Sequence, residues 1–452
     1  MNVREKYLRT CGDFQARPLV AVSGGAIGQA VVIPALAERD SLFRTLAAIA
    51  GNPESELHRT LVICVVNNHR PSLAGEAEIR NNRETLAILD SLVSGRPLRH
   101  DLSAAIERDI EVIARSGLRL AFIDASSSGM EIPERDGGVG AARRIGMDAA
   151  LQSVDWGADG GGAICCLDAD TLVEANYLTA IRSYFGRTGD PAAVSAYAHQ
   201  KPEDPELLAA ICCYEIFLRA YVIGLSHAGS PYAFHSIGST MACTSQGYAS
   251  VRGMNRRGAA EDFHFLDKLA KIGRVGIITE ATVFPSPRPS HRVPFGTGQR
   301  MIRFLSGSTD EYRLYDPRIF DILGAWIRSM EAAPDRDQET ILAGAARILP
   351  ELESYLRPSR FAQNWLVIRK NSRDPGQLRR QFHVWFDGLK TLRLVHHLSR
   401  TAFPMVPMFD GSTGEIPLAG RKYSLAPTPG GIPEPEEQYL ILTSLRAAFP
   451  RS

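Results

Sequence analysis

The chain has 452 residues, and its 51 Lys and Arg side chains balance 50 Asp and Glu side chains, which gives a formal net charge of +1. This length is enough for a full hydrophobic core and predicts two lobes. Because no basic block interrupts the even balance, the sequence argues against nucleic acid as a partner.

Three features of the sequence predict a cytoplasmic location. The N-terminal residues Met1–Lys6 lack the apolar core of a signal peptide. The longest apolar stretch, Leu207–Leu225, is interrupted by Glu215 and Arg219, so we expect no transmembrane segment. The seven cysteines are odd in number and contain no Cys-x-x-Cys, which predicts reduced core residues. Peripheral attachment to the inner face of the membrane is the alternative location.

The first predicted elements follow an N-terminal extension of residues 1–27. A glycine-rich run, Ser23–Gly28, would suit a dinucleotide-binding turn, but a strand follows it where that motif requires a helix. The strand begins at Ala30 and is expected to stop at Pro34. A helix is expected next, with apolar residues at helical spacing: Leu42, Leu46 and Ile49.

The next two elements end or begin with polar groups. A second buried strand, Thr60–Val66, leads into Asn67 and Asn68, whose side chains can hydrogen-bond a base or a ribose. Later, a glycine-rich turn starting at Gly138 opens a helix. Such a turn lets the backbone approach a phosphate closely, and Arg143 would add positive charge there.

A third buried strand, Ala163–Leu167, ends in Asp168 and Asp170. Two carboxylates this close repel each other unless a positive group lies between them, and their oxygens suit a hard divalent cation. The alternative is that they cap the following turn and helix. The alternation of strands and helices predicts an α/β fold with a mostly parallel sheet, whose polar tips share the ligand-binding edge.

The second half of the chain adds two candidate sites. Glu261 and Asp262 precede a helix over Phe263–Lys271, where capping of that helix is the alternative function. His291 lies in a proline-rich loop between Arg288 and Arg292, which suits phosphate or metal binding, although a lone loop histidine is commonly just solvated.

The region after about residue 305 is predicted to be helical. Its apolar residues recur at helical spacing, so most of its aromatic side chains are expected in the core. The predicted helices are Ile319–Met330, Glu339–Ile348, Arg360–Arg369 and Gln377–Leu398, and the core aromatics are Trp326, Trp365, Trp385 and Phe386.

The chain resembles family 2 glycosyltransferases, which have the GT-A fold, in motifs that follow in the family's order over roughly residues 28–300. These motifs are Ile33–Glu38, Gly138–Gly146, Asp168–Asp170, Gly238–Ala242, Gly247–Gly253 and Glu261–Asp262. One motif departs from the family: its Val-Asp-Asp/Asn-Gly-Ser is Val66-Asn-Asn-His69 here, so Asn67 replaces the first Asp. The Gln-x-x-Arg-Trp motif of processive members is missing from the sequence.

The resemblance implies roles for particular residues. Asp170, with Asp168, would hold Mg²⁺ or Mn²⁺ on the donor's diphosphate, and His291 would be a third metal ligand. Asp262, next to Glu261, would be the general base of an inverting reaction. The remaining candidates would bind the nucleotide part of the donor: Pro34, Glu38, Asn67, Asn68, Gly138, Arg143 and Asp168.

We therefore expect a GT-A domain at residues 28–304, with a nucleotide-binding half (28–170) and an acceptor half (171–304), and a helical region at 305–452. The expected function is metal-dependent, non-processive sugar transfer from a nucleotide-diphospho-sugar to a hydroxyl of a small molecule, a glycan or a lipid-linked acceptor. The alternatives are a retaining transferase of the glucosyl-3-phosphoglycerate synthase type, a sugar nucleotidyltransferase, and a non-catalytic nucleotide- or carbohydrate-binding protein.

Overall fold

The structure of the chain is a computed structural model that describes most of the sequence. The described residues are 3–11, 17–21, 26–68, 74–97, 102–134, 138–153, 162–256, 258–292, 296–332, 336–410, 416–420, 423 and 431–449.

A mixed sheet of nine described strands forms the centre of the molecule, in the order β1-β4-β3-β2-β5-β8-β7-β9-β6. The strands are β1 (Val20–Ala21), β2 (Gln29–Ala35), β3 (Thr60–Asn67), β4 (Arg119–Ala125), β5 (Ala163–Cys166), β6 (Leu172–Val173), β7 (Ala192–Tyr197), β8 (Met241–Thr244) and β9 (Val275–Phe284). Neighbours are parallel from β4 to β5 and between β7 and β9, and antiparallel elsewhere. Two further strands, β10 (Arg313–Leu314) and β11 (Val406–Pro407), pair separately.

Helices cover the sheet and form the C-terminal region. Those of the first 304 residues or at their boundary are α1 (Val3–Cys11), α2 (Arg39–Ala50), α3 (Glu54–Leu57), α4 (Glu76–Ser94), α5 (Ala104–Arg115), α6 (Val139–Ser153), α7 (Tyr177–Arg187), α8 (Pro205–His227), α9 (Ser245–Ser250), α10 (Glu261–Ala270) and α11 (Thr297–Leu305). The rest are α12 (Arg318–Ala332), α13 (Gln338–Ile348), α14 (Pro350–Leu356), α15 (Phe361–Asn371), α16 (Pro375–Trp385), α17 (Gly388–Thr401) and α18 (Pro435–Ala448). The prediction of an α/β fold with a helical C-terminal region is confirmed, but the sheet is mixed and not mostly parallel as predicted.

Side chains of the central strands alternate between two cores, one on each face of the sheet. On β2, Val31 and Ile33 belong to the core beneath α2, whereas Ala30 and Val32 belong to the core beneath α6. Burial on both faces explains why these strands are continuous apolar runs in the sequence. Because β4, β3, β2 and β5 run parallel, their carboxyl ends share one edge, which we call the carboxyl edge.

Strand β2 does not stop at Pro34, as the sequence predicted, but continues through it to Ala35. Pro34 is aligned with Val65 of β3, while pairing with β5 extends only to Val32. The oxygen of Val32 accepts a bond from Leu167 on the β5 side, so Pro34, two residues on, faces the same side beyond the last ladder bond. A proline is tolerated there because no amide hydrogen is required.

The single helix predicted over Gln377–Leu398 is wrong, because α16 and α17 are separate. Asp387 caps the second helix through its side chain, which accepts a hydrogen bond from the Lys390 amide. The pair Asp387-Gly388 therefore starts a second helix. The break between the two helices lets both pack on the same core. That core buries Trp326, Trp365 and Phe386 as predicted, with Trp385 partly buried beside it.

Helix α8 joins the two parts of the molecule. It packs against α11, α12 and α18, so the C-terminal region rests on the acceptor half. Contrary to the sequence expectation, α8 is long and apolar enough, at 23 residues, to span a membrane by length and composition. Most of it is buried inside the protein, which is also typical of a core helix.

Candidate active site at the carboxyl edge

Asp168 follows β5 and is held by two donors. Arg143 Nη2 of α6 donates to its Oδ1 at 2.6 Å, and Ser239 Oγ donates to its Oδ2 at 2.6 Å. Thr171 donates to Ser239 in turn, at 2.9 Å. The Asp168 carboxylate is thus fixed from two sides while its side chain stays 37% exposed at the edge.

Arg143 is buried, and its guanidinium is committed to protein partners in three directions. Besides Asp168, it donates through Nε to Glu261 Oε1 at 3.1 Å and through Nη1 to the Gly238 carbonyl at 3.0 Å. A Cβ at Gly238 would lie 2.2 Å from Nη2, so only glycine fits beside this arginine. Arg143 thus positions Asp168 and Glu261, and its contact with a phosphate stays a prediction.

Glu261 and Gly138 also serve the scaffold. The Glu261 side chain is 5% exposed and paired with Arg143, and a catalytic role for it stays a prediction. Gly138 has a φ of +129°, and a Cβ there would lie 2.7 Å from Gly258 Cα. The close approach predicted at Gly138 is therefore made to the Gly258 backbone rather than to a phosphate.

Asp170, two residues after Asp168, lies in an acidic cluster opposed by arginines. Burial, followed by the charges of Glu38 and Asp168, raises the pKa of the Asp170 carboxyl to about 7. Arg288 Nη2 bridges Glu38 Oε1 at 2.5 Å and Asp170 Oδ2 at 3.2 Å. Arg292 pairs with the same Glu38 oxygen.

Glu38 is the buried member of this cluster, with a side chain only 6% exposed. Its second oxygen, Oε2, is buried and has no hydrogen-bond partner within the described residues. Glu38 thus lies close to Asp170, and Pro34 is buried inside β2. Nucleotide binding by these two residues stays a prediction.

Asn67 and Asn68 are buried at the end of β3 and bond to the protein. Asn68 Nδ2 donates to the Ser126 carbonyl at 2.7 Å, and its Oδ1 accepts from Asn82 Nδ2 at 2.6 Å. Asn67 Nδ2 donates to the Asn68 carbonyl at 3.1 Å. Asn68 thus has its amide and its oxygen engaged by the scaffold, and contact of the two asparagines with a nucleoside stays a prediction.

The predicted three-residue metal site is not assembled. His291 is exposed in its loop. Within the described ranges, no three His, Cys, Asp or Glu side chains lie together so that they could hold a metal ion. The assignment of His291 as a metal ligand alongside Asp168 and Asp170 stays a prediction.

Asp262 stands in the first turn of α10, next to the Arg143 cluster. Its Oδ1 accepts a hydrogen bond from the Phe263 amide at 2.7 Å. Burial, followed by the charge of Glu261, raises the pKa of Asp262 to about 7, against the lowering effects of that amide and of Arg143. A carboxylate with this pKa is half ionised at neutral pH and suits proton transfer.

Three residues of the edge were not found from the sequence. Ser239, which holds Asp168, lies inside the Gly238–Ala242 motif, and its place in this motif could have identified it as a site residue. Asn82 of α4 and Gln200 after β7 bear on the edge from elements that carry no motif. Gln200 Nε2 donates to the carbonyls of Asp170 and Phe284 at 2.9 and 2.8 Å.

Comparison with known proteins gives distant structural similarity. No protein-family model matches the chain, and no curated protein matches it significantly. S. aureus TarS 1–349 in complex with UDP-GlcNAc is similar at 13% identity over 78% of this chain and 90% of that one, with a TM-score of 0.37. The mannosyltransferase PcManGT from Pyrobaculum calidifontis, in complex with GDP-Man and Mn²⁺, is similar at 14% identity over 86% and 92%, with a TM-score of 0.35. Both similarities have a low identity and a low TM-score, and neither assigns a function or a substrate to this chain.

Proposed function

We propose that the protein is a non-processive glycosyltransferase that moves a sugar from a nucleotide-diphospho-sugar to an acceptor hydroxyl with inversion. The observation that carries the proposal is the clustering of Asp168, Asp170 and Asp262 with Arg288 and Arg292 at the carboxyl edge. Parallel α/β sheets bind ligands outside this edge. Asp168, Asp170 and Asp262 come from motifs that occur in the order of family 2 glycosyltransferases, which supports the same function.

The arginine loop supplies the charge that a diphosphate needs. Arg288 and Arg292 now neutralise Glu38 and Asp170, and a guanidinium fork binds phosphate oxygens in the same bidentate way as a carboxylate. A diphosphate entering beside Asp170 would compete for these arginines. The leaving group would then be neutralised by side chains of the chain itself.

A divalent metal is compatible with one part of this cluster. Asp168 is already held by Arg143 and Ser239, whereas Asp170 sits against negative charge that raises its pKa, and Glu38 keeps one buried oxygen without a described partner. Mg²⁺ commonly binds through one or two carboxylates and the substrate's phosphates. Asp170, with Asp168 beside it, would hold Mg²⁺ or Mn²⁺, which when bound acts as a Lewis acid on the diphosphate.

Asp262 is the proposed general base. Its neighbours Asp168 and Glu261 are fixed by the same Arg143 guanidinium, so the base and the donor edge have a defined separation. An acceptor hydroxyl bound at Asp262 would give up its proton as the sugar–oxygen bond forms and the bond from the sugar to the diphosphate breaks. The freed negative charge appears on the nucleoside diphosphate.

Calorimetric titration of the full chain with UDP-GlcNAc and with GDP-mannose, each with and without Mn²⁺, tests the donor site. We expect one donor to bind, and Asp170→Asn to remove the Mn²⁺-dependent part of its affinity. Arg288→Met combined with Arg292→Met should weaken donor binding about 10- to 100-fold with or without Mn²⁺, since two phosphate contacts are lost.

The matched control is Asp337→Asn, at the N-cap of α13, where asparagine can keep the cap. This variant removes one carboxylate from the C-terminal region and should bind the donor like the wild type. If neither donor binds at millimolar concentration and neither is hydrolysed, the proposed function is contradicted. Unchanged Mn²⁺-dependent affinity in Asp170→Asn would contradict the role of Asp170 alone.

A further inference from the structure

Residues His199–Lys201, which begin two positions after the end of β7, connect the C-terminal region to the carboxyl edge. His199 and Lys201 face the C-terminal side: His199 contacts Glu215 of α8, and Lys201 pairs with Glu436 of α18 at 2.7 Å. Gln200, between them, faces Asp170. The short segment His199–Lys201 therefore lies between α18 and the donor loop.

Gln200 ties together the two loops of the donor site. Its Nε2 donates to the Asp170 carbonyl at 2.9 Å and to the Phe284 carbonyl at 2.8 Å, and its backbone amide donates to the Pro285 carbonyl at 3.0 Å. Asp170 belongs to the acidic loop, while Phe284 and Pro285 begin the loop that carries Arg288. One side-chain amide thus joins the two loops, next to the antiparallel ladder in which Leu172 of β6 pairs with Phe284 of β9.

The residue before Gln200 is fixed by a buried ion cluster. His199 donates to Glu215 Oε2 through its backbone amide at 3.0 Å, and its Nδ1 lies 2.9 Å from the same oxygen. Glu215 is fully buried and also paired with Arg219 at 2.9 Å and with Arg446 of α18 at 2.7 Å. Because His199 and Lys201 are both held by ion pairs, the backbone from which the Gln200 side chain extends is held in place.

We propose that Gln200 is a positioning residue for the donor site, holding the Asp170 loop and the arginine loop at the separation that a diphosphate requires. This inference rests on the proposed function and extends it to a residue outside the recognised motifs. Gln200 acts through backbone carbonyls, so it touches neither the donor nor the acceptor. Misplacement of a site by about 1 Å can cost a factor of 100 in rate, so a lost tether should be visible in binding and turnover.

Gln200→Met tests the tether, because methionine keeps the side chain's length but has no donor. The matched control is Gln29→Met at the opposite edge of the sheet, where Gln29 Nε2 donates to Thr60 Oγ1 at 2.9 Å and to the Leu178 carbonyl at 3.5 Å. Both variants lose an amide that joins two acceptors. Gln200→Glu, which keeps the shape but replaces the donor with an acceptor, is the second test variant.

The first readout is hydrogen exchange without any ligand. We expect Gln200→Met and Gln200→Glu to increase exchange at residues 168–173 and 283–292, while Gln29→Met leaves these segments unchanged. The second readout is the Kd of UDP-GlcNAc or GDP-mannose, whichever the wild type binds. It should rise about tenfold in both Gln200 variants and stay within twofold of wild type in Gln29→Met.

A Gln200→Glu protein with unchanged exchange in both segments and an unchanged donor Kd would overturn the inference. Equal increases in Kd for Gln29→Met and Gln200→Met at equal loss of melting temperature would also overturn it, because that pattern reports general destabilisation. If the wild type binds no donor, the proposed function fails. The exchange data alone then decide whether Gln200 joins the two loops.

Discussion

Replacing Asp262 by Asn removes the candidate base with little change of shape. Asparagine still accepts the Phe263 amide, so the start of α10 should remain intact. General base catalysis is worth about two to four decades in rate. We therefore expect kcat to fall by about 10²- to 10⁴-fold, which corresponds to about 3–5 kcal/mol in the barrier, while the donor Kd stays unchanged.

Asp262 should also set how kcat/KM of the wild type depends on pH. Burial and Glu261 raise the pKa of Asp262 from 3.8 to about 7. Because a base acts in its ionised form, kcat/KM should rise with pH up to about 7 and fall tenfold per unit below it. It should be about 100-fold lower at pH 5 than at its plateau, and Asp262→Asn should lack this dependence.

The assay is release of nucleoside diphosphate from the donor that binds, with water as the acceptor, between pH 5 and 8. Asp267→Asn, on the same helix, is the matched control: it removes a carboxylate that pairs with Lys271 and accepts the Gly388 amide, away from the edge. That control should keep the wild-type profile. A flat wild-type profile, or near wild-type turnover in Asp262→Asn, would refute the reasoning, and retention of the anomeric configuration would refute inversion.

Two further predictions concern stability. Gly138→Ala should destabilise the fold by about 1–3 kcal/mol, because φ at Gly138 is +129° and the new Cβ would meet Gly258. Gly186→Ala inside α7 is the control: its new Cβ would have no atom nearby, so the variant should stabilise the fold by about 0.5–1 kcal/mol. Denaturant unfolding with the opposite result would contradict this. Arg446→Met should cost about 3–5 kcal/mol, because it takes one cation from buried Glu215. Burial alone would raise the pKa of Glu215, but Arg219, His199 and Arg446 hold it well below its usual value. The wild type should therefore exceed Arg446→Met in its free energy of unfolding by a constant amount above pH ~4.3. This difference should shrink as the pH falls through the lowered pKa of Glu215. Equal melts at pH 7 would contradict it, with exposed Arg187→Met as the control.

The central strands and the carboxyl edge were predictable from the sequence because their physics is local. Strands buried on both faces read as continuous apolar runs, and the polar residues that end them must meet where parallel strands end. The position of Asp168 and Asp170 follows from this rule alone, whereas Glu38 was predicted from its motif. The helix starting after Gly138 and the core tryptophans Trp326 and Trp365 follow from local periodicity in the same way.

The roles of individual polar residues at the edge were less predictable, because their partners are distant in sequence. The sequence predicts a phosphate contact for Arg143 and gives no sign of its partner Glu261, which lies 118 residues later. The sequence likewise predicts a nucleoside contact for Asn68, whereas in the structure its oxygen accepts a hydrogen bond from Asn82 of another element. Local sequence reports which groups can form hydrogen bonds, and only the packing of distant elements decides which of them are already satisfied.

The buried pair of Glu215 and Arg446 also has a consequence during synthesis. The two residues are separated by 231 positions, so at typical rates of about 5–20 residues per second the carboxylate waits roughly 10–50 s for this cation. Throughout that interval α8 has an incompletely neutralised charge at its centre, and the segment that anchors Gln200 is not yet secured. The nascent protein should therefore acquire a competent donor site only after its last helix has left the ribosome, which keeps incomplete chains inactive.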